Sequence, residues 1–321
     1  MTKFILCLAT ALCLGPVAAQ TSDWPSKPIR LIVPFPAGGP TDLVAREAAN
    51  ILREEFKQSV VVDNKPGSNG TRCHGLLAKS PADGHTIGLL VITVAIAPHL
   101  GNAPFDTFKD FAPISNMVSM TPIVVANNAS PFNTLAELVA HAKAHPGKLA
   151  YGTPGVATVP HLAAELLQMQ SGMQLNHIPY KGATQQIQDL IGGSTQIDFQ
   201  SSLVVAMPQI KADRIKALAV LSDKRSAQLP QVPTAKEAGY PGLVVSPWFG
   251  LGAPAGTPAA IVSKMHAALA KGLSSKEVQE RFAAIGASVH PSKSPAEFAS
   301  YILAEHTRWG KVIQAANIKA E

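Results

Sequence analysis

The stretch Pro34-Phe35-Pro36-Ala37-Gly38-Gly39-Pro40-Thr41-Asp42 decides how this chain is read. Ile29-Arg30-Leu31-Ile32-Val33 precedes it, an apolar, β-branched run that predicts a strand. A helical pattern follows, beginning with Leu43, Val44 and Ala45 and reaching about Phe56. The chain therefore leaves a strand, turns on two glycines and enters a helix. Such a turn gathers bare backbone N–H groups at a helix N-terminus, which suits an anion. Pro34 and Pro36 stiffen the approach, and the glycines let backbone come close to a ligand. A plain turn capped by Thr41 or Asp42 would read the same way. What favours a ligand site is that the chain builds the device again.

The second copy is Tyr151-Gly152-Thr153-Pro154-Gly155-Val156-Ala157-Thr158-Val159-Pro160-His161. Thr158 suits a helix cap and Pro160 a first helical position. His161 reads as a packing histidine rather than a base or metal ligand, since no His or Cys stands at ligand spacing from it. A third stretch is His177-Ile178-Pro179-Tyr180-Lys181-Gly182. Tyr180 can offer a hydroxyl or ring face and Lys181 a charge. Equally, Tyr180 can be packing and Lys181 solvated.

Working outward, strands are expected at 60–63, 86–91, 122–127, 149–151, 176–179, 196–199, 216–220 and 243–250. Helices are expected at 71–79, 135–144, 161–169, 183–191, 203–212, 258–272, 276–285 and 295–316. This alternation predicts an α/β fold with parallel sheet covered by helices on both faces. Two α/β blocks open alike, which suggests two lobes with a ligand cleft between them.

At 321 residues and 46% hydrophobic, the chain can bury a large core in about two domains. Only 15% of residues are charged, which excludes a disordered or coiled-coil chain. The first residues read as a secretory signal at 1–19. Lys3 is its positive end, 4–14 its apolar stretch, and Val17-Ala18-Ala19 the small residues before a cut at Gln20. Cleavage removes Cys7 and Cys13 and leaves Cys73 without a disulfide partner. The formal charge of +6 comes from scattered basic residues, a bias toward acidic small molecules and not toward nucleic acid. The chain has no GxSxG, HExxH, CxxC or Walker loop, and Gly38-Gly39 lacks the GxGxxG spacing. Cys73 and His74 are sequence neighbours that a helix would aim in different directions, a poor nucleophile–base pair.

Beyond these readings, the chain resembles the periplasmic solute receptors of tripartite tricarboxylate transporters, the Bug or TctC-like family. The likeness rests on Trp24-Pro25-Ser26-Lys27-Pro28-Ile29-Arg30 followed by the loop 34–42. It continues through Val61-Val62-Asp63-Asn64-Lys65-Pro66-Gly67, Ser80-Pro81-Ala82-Asp83-Gly84, and Pro146-Gly147-Lys148-Leu149-Ala150-Tyr151. The stretch 177–182, Leu229-Pro230-Gln231-Val232-Pro233-Thr234, Glu237-Ala238-Gly239-Tyr240, Trp248-Phe249-Gly250 and Ala253-Pro254-Ala255-Gly256-Thr257-Pro258 complete it.

The resemblance implies a two-lobed, Venus-flytrap (type II-like) periplasmic binding protein with mixed sheets flanked by helices. Residues 20–121 with 244–321 would form one lobe and 122–243 the other, with hinge crossovers near 115–123 and 243–250. It implies a monomer without metal or cofactor, a small organic carboxylate as ligand and a tripartite-type membrane permease as partner. Phe35, Ala37, Gly38, Gly39, Thr41 and Asp42 would form the first wall, with Asp42 shaping the loop. Thr153, Val156, Ala157, Thr158, His161 and Tyr180 would line the second. The sequence departs from the family pattern at Arg72-Cys73-His74, in the less polar loop 153–160, at Ser201 and at Pro247. These departures point to a partly apolar ligand, an aromatic or short aliphatic carboxylate. A secreted enzyme using His161, Lys181 or Cys73, or a periplasmic sensor, would share much of this sequence.

Overall fold

Strand β1 (Ile29–Val33) has four of its five residues buried, the pattern of a strand covered on both faces. It pairs in parallel with β2 (Val60–Asn64) and with β3 (Thr86–Val91). Parallel neighbours need crossovers, here α1 (Pro40–Phe56) and α2 (Thr71–Ala78). Val44, Ala45, Ala48, Ile51 and Leu52 form the buried stripe of α1. The computed structural model describes residues 24–101, 103–180 and 182–319. The expected leader at 1–19 and Lys181 lie outside these residues.

The short helix α3 (Thr93–Ile96) follows β3, and the chain then runs along the long strand β4 (Phe111–Met120). β10 (Trp248–Pro254) lies between β3 and β4 and is antiparallel to both. β11 (Ala287–Val289) pairs antiparallel with β4, giving a six-stranded sheet in the order β11-β4-β10-β3-β1-β2.

The second sheet is built from the middle of the chain. Its elements are β5 (Ile123–Asn127), α4 (Leu135–Ala144), β6 (Ala150–Thr153), α5 (Val159–Ser171), β7 (Asn176–Pro179) and α6 (Ala183–Gly192). They continue through β8 (Ile197–Gln200), α7 (Leu203–Lys211) and β9 (Ile215–Val220). The five strands run in the order β7-β6-β8-β5-β9. β6 is parallel to β7 and β8, whereas β5 is antiparallel to β8 and β9.

Helices α8 (Ala259–Leu273), α9 (Lys276–Ala284) and α10 (Pro295–Ala315) return to the first sheet. Met265 and Leu269 of α8 share one core with Val44 and Leu52 of α1. Trp309 and Ile313 of α10 share another core with Leu162 and Leu167 of α5, so α10 packs against both lobes.

Three sequence expectations change. The sheets are mixed, as the family resemblance implied, and not parallel as the strand–helix alternation alone predicted, because β4 and β10 carry the chain out of the first sheet and back in opposite directions. The strand expected at 243–250 is displaced to Trp248–Pro254. Residues before Trp248 spend their hydrogen bonds elsewhere: Val245 N donates to Leu221 O at 2.8 Å, and Val244 O accepts from Arg308 Nη2 at 2.5 Å. Pro247 has no N–H to give to a ladder. The short β11 was not expected at all.

The sheets are joined twice, at Thr121–Pro122 and through 221–247. The joints lie side by side, since Met120 N donates to Pro247 O at 2.9 Å and Leu221 N to Pro122 O at 2.9 Å.

Candidate ligand site between the lobes

The loop after β1 is held from below by one carboxylate. Asp42, 1% exposed, sits in the first turn of α1. Its Oδ2 accepts from Gly38 N at 2.9 Å and Arg46 Nε at 2.8 Å, and its Oδ1 accepts from Asn64 Nδ2 at 3.0 Å. Asn64 Nδ2 also donates to Phe35 O at 2.9 Å, tying β2 to the loop. Burial pushes the Asp42 carboxyl up, but the bonds from Arg46, Gly38 and Asn64 outweigh it and hold the group below its ordinary value. Asp42 thus shapes the loop. Gly39 is the N-cap residue and Pro40 opens the helix, so neither Thr41 nor Asp42 is the cap.

Gly38 N–H is therefore already committed. Among the described residues the N–H groups of Gly39, Thr41 and Asp42 have no backbone acceptor, and they form the donor set at the helix start. Phe35 is half-buried, whereas Ala37 and Gly38 are exposed. Gly38 has φ +83°, and a Cβ built on it meets nothing within 4 Å.

The second wall follows β6. Thr153 is fully buried, and its Oγ1 donates to Gly155 O at 3.0 Å. His177 Nε2 lies 2.7 Å from the same Oγ1 and is its donor in this arrangement. Thr158 holds the N-cap position of α5, but its Oγ1 donates to Gly155 O at 2.7 Å and does not cap the helix. Pro160 is the second helical residue, not the first. Ala157 has φ +54°, a conformation an alanine rarely takes. It is held there by its N–H, which donates to His161 Nδ1 at 3.0 Å.

His161 lies behind this wall rather than in it, 6% exposed. Its ring stacks on His177 at 4.1 Å and 11°, and His177 stacks on Tyr151 at 4.8 Å and 22°. Tyr151 OH donates to Glu165 Oε1 at 2.8 Å. Burial pushes His161 down to about 3 and His177 down to about 4, so both rings are neutral and His161 can accept. Val156 and Tyr180 are half-buried, and Tyr180 OH donates to Asp189 Oδ2 at 2.8 Å.

The two walls meet through a residue that the sequence reading passed over. Asn69 Nδ2 donates to Ala157 O across the lobes at 3.4 Å. Asn69 belongs to four consecutive residues with positive φ, Gly67 (+132°), Ser68 (+48°), Asn69 (+47°) and Gly70 (+92°). Thr93 Oγ1 holds this turn by donating to Asn69 O at 2.8 Å. Its Gly-Ser-Asn-Gly composition was legible as a turn, but not as a turn facing the other lobe. Asn64 and His177 were likewise not expected to support the walls.

The three departures on α2 separate. Arg72 is exposed, while Cys73 and His74 are fully buried. Burial pushes the Cys73 thiol up to about 12 and His74 down to about 4. His74 packs edge-on against Phe105 at 5.7 Å and Phe111 at 6.4 Å, so the pair is core and not a nucleophile with its base. No group of three or more His, Cys, Asp or Glu suited to a metal occurs among the described residues, and no described helix is long and apolar enough to cross a membrane.

Residues 44–318 match the family described as the tripartite tricarboxylate transporter family receptor. Protein BugT of Bordetella pertussis is 36% identical over 315 residues, covering 97% of this chain and 95% of that protein. An R. palustris protein solved with adipate aligns at TM-score 0.83 and 33% identity, covering 92% of this chain and 99% of that one. MatC from Rhodopseudomonas palustris with bound malate aligns at TM-score 0.78 and 30% identity, covering 90% and 100%. The periplasmic binding protein BugD aligns at TM-score 0.79 and 32% identity, covering 93% and 100%. With its two mixed sheets, its paired strand–glycine–helix walls and these relatives, the chain belongs to the Bug/TctC family of two-lobed periplasmic solute-binding proteins.

Proposed function

We propose that this protein, exported by the segment 1–19, captures a small organic carboxylate between its lobes and delivers it to a tripartite-type membrane permease. The observation that carries this reading is the free N–H set of Gly39, Thr41 and Asp42 on one lobe, opposed by the loop around Ala157 on the other. Such donors neutralise a carboxylate without a buried arginine. Phe35 and Val156, both half-buried, give the ligand's body apolar contact. An aliphatic or aromatic acid fits this better than a densely polar one, and adipate in one relative supports the choice.

In this reading residues 20–121 with 244–321 close as one body on 122–243, bending at the paired joints Thr121–Pro122 and 221–247. The ligand favours closure because only the closed form gives it both walls. The monomeric closed form is then what the permease recognises. No metal or cofactor takes part, and the chain binds its solute without converting it.

The test is the melting temperature of the mature chain from Gln20 against di- and tricarboxylates, amino acids and aromatic acids. A ligand at 100 times its dissociation constant adds about 2.7 kcal/mol. One class of acid should raise the melt, and Gly38→Val should abolish the rise, because its side chain enters the open space before the donors. A shift that survives Gly38→Val would place the ligand elsewhere. No shift for any acid, before or after refolding from denaturant to strip retained ligand, would count against the carboxylate reading.

A further inference from the structure

A second hollow lies outside the two ligand walls, a groove of about 680 Å3 between α5 and α10. Leu166 and Met169 of α5 form one side, and Leu303, Ala304 and Val312 of α10 form the other. Met169 is 49% exposed and Leu303 52%, large apolar side chains left in water side by side. Leu303, Ala304, Thr307 and Lys311 recur at helical spacing. They give α10 a second face beside the one that buries Phe298, Ile302, Trp309 and Ile313. Gly242 also borders the groove. It packs on the Gln170 side chain of α5 with no room for a Cβ, and its carbonyl accepts from Arg308 Nη2 at 3.4 Å. The groove is therefore bounded by α5, by α10 and by the joint 221–247.

The charge on this lining has one sign, since Arg308 and Lys311 are its ionised residues. Arg308 Nη2 is spent on the carbonyls of Val244 and Gly242, and its Nε and Nη1 have no hydrogen-bond acceptor among the described residues. The Glu305 carboxylate, 3.9 Å from Nη1, is buried and turned to Trp309 Nε1. Lys311 is exposed and enters no salt bridge among the described residues.

Two helices with an apolar seam between them seat a third helix. A second copy of this chain suits the seat poorly, because a two-fold contact through this face would bring the same cations together. The segment 1–19 suits it no better, since its one charged side chain is Lys3. We propose that the groove is a docking site for an acidic amphipathic helix of a partner protein. Apolar residues of that helix sit between Met169 and Leu303, and its carboxylates reach Arg308 and Lys311. Seated on both helices and the joint, it touches both lobes at once and binds best at one angle between them. In the transport reading, on which this last assignment rests, the helix belongs to the permease.

Two synthetic peptides of about 16 residues test the docking, each with leucines along one helical face. One carries glutamates beside the leucines, the other lysines. Fluorescence anisotropy should show the acidic peptide binding at least about tenfold tighter than the basic one. Methyl NMR of isotopically labelled methionines should show the Met169 signal, assigned by its loss in Met169→Leu, moving as the acidic peptide is added. Leu303→Glu should abolish binding. Lys311→Glu should weaken the acidic peptide about tenfold and strengthen the basic one. Both side chains are exposed, so both variants keep the fold.

Equal affinity for the two peptides, no binding, or binding that leaves the Met169 methyl unmoved would overturn the proposal. Laurate moving that methyl where the acidic peptide does not would assign the groove to a small amphiphile and overturn it as well. Leu303→Glu and Lys311→Glu should keep the melting shift given by the carboxylate ligand. Failure of docking and failure of carboxylate capture are thus read in separate measurements.

Discussion

The loops 34–42 and 153–161 are the same device in sequence and are held by opposite means. Each joins a strand to a helix that has proline in its first turn. The first is organised by a charge, the Asp42 carboxylate, which binds Gly38, Arg46 and Asn64 together. The second is organised by neutral rings, with His161 accepting from Ala157 N–H while Tyr151, His177 and His161 stack behind it. A local motif therefore specifies a shape, whereas the buried groups beneath it specify how the shape responds to its medium.

The largest expected effect comes from removing the ring behind the second wall. His161→Ala deletes a buried stacked ring and the acceptor of Ala157 N–H, and should cost about 3 kcal/mol. Urea unfolding measures it, and a cost under about 1 kcal/mol would show that the stack does not hold the loop. Next is Asp42→Ala, which strands three donors on the first wall. Some of them face water, so about 2 kcal/mol is expected. Asp42→Asn should lose less, since it keeps one acceptor oxygen.

Acid separates the walls. Burial pushes His161 and His177 down to about 3 and 4, so the unfolded chain takes up protons first. Their contribution is complete above about 6.5 and is lost as pH falls toward 4, up to tenfold in the folding constant per group and pH unit. Asp42, held below its ordinary value, loses its contribution only as pH falls below about 4. His74 titrates in the histidine window from the first lobe, so the comparison is between wild type and His161→Gln. The variant should show a shallower slope between pH 6.5 and 4, and an unchanged slope would remove His161 from the account.

The smallest effect is expected where the walls touch. Asn69→Gly keeps the left-handed backbone and removes only the 3.4 Å bond to Ala157 O. Stability should change by less than about 0.5 kcal/mol, with ligand affinity falling a few-fold because closure is less favoured. An affinity equal to wild type would show that the contact does not contribute to closure.

By itself the sequence determined the local elements. The pattern at Ile29–Val33, the glycine pair and the helical period of α1 placed the first strand, loop and helix, because those signals act over a few residues. The same holds for β3, α4 and β7, which fall where the pattern put them. Tertiary structure decided what depends on distant partners. Residues 243–247 look like strand, yet Leu221, Met120 and Arg308 take their hydrogen bonds, and pairing begins only at Trp248. Asn69 is a turn residue until Ala157 is brought opposite it, 88 positions away. His161 reads as packing, but its neutrality and its bond to Ala157 come from burial against His177, which no spacing within the helix reveals. Backbone propensity and amphipathic period are written residue by residue. Burial, pairing direction and the protonation that follows from them belong to the folded chain.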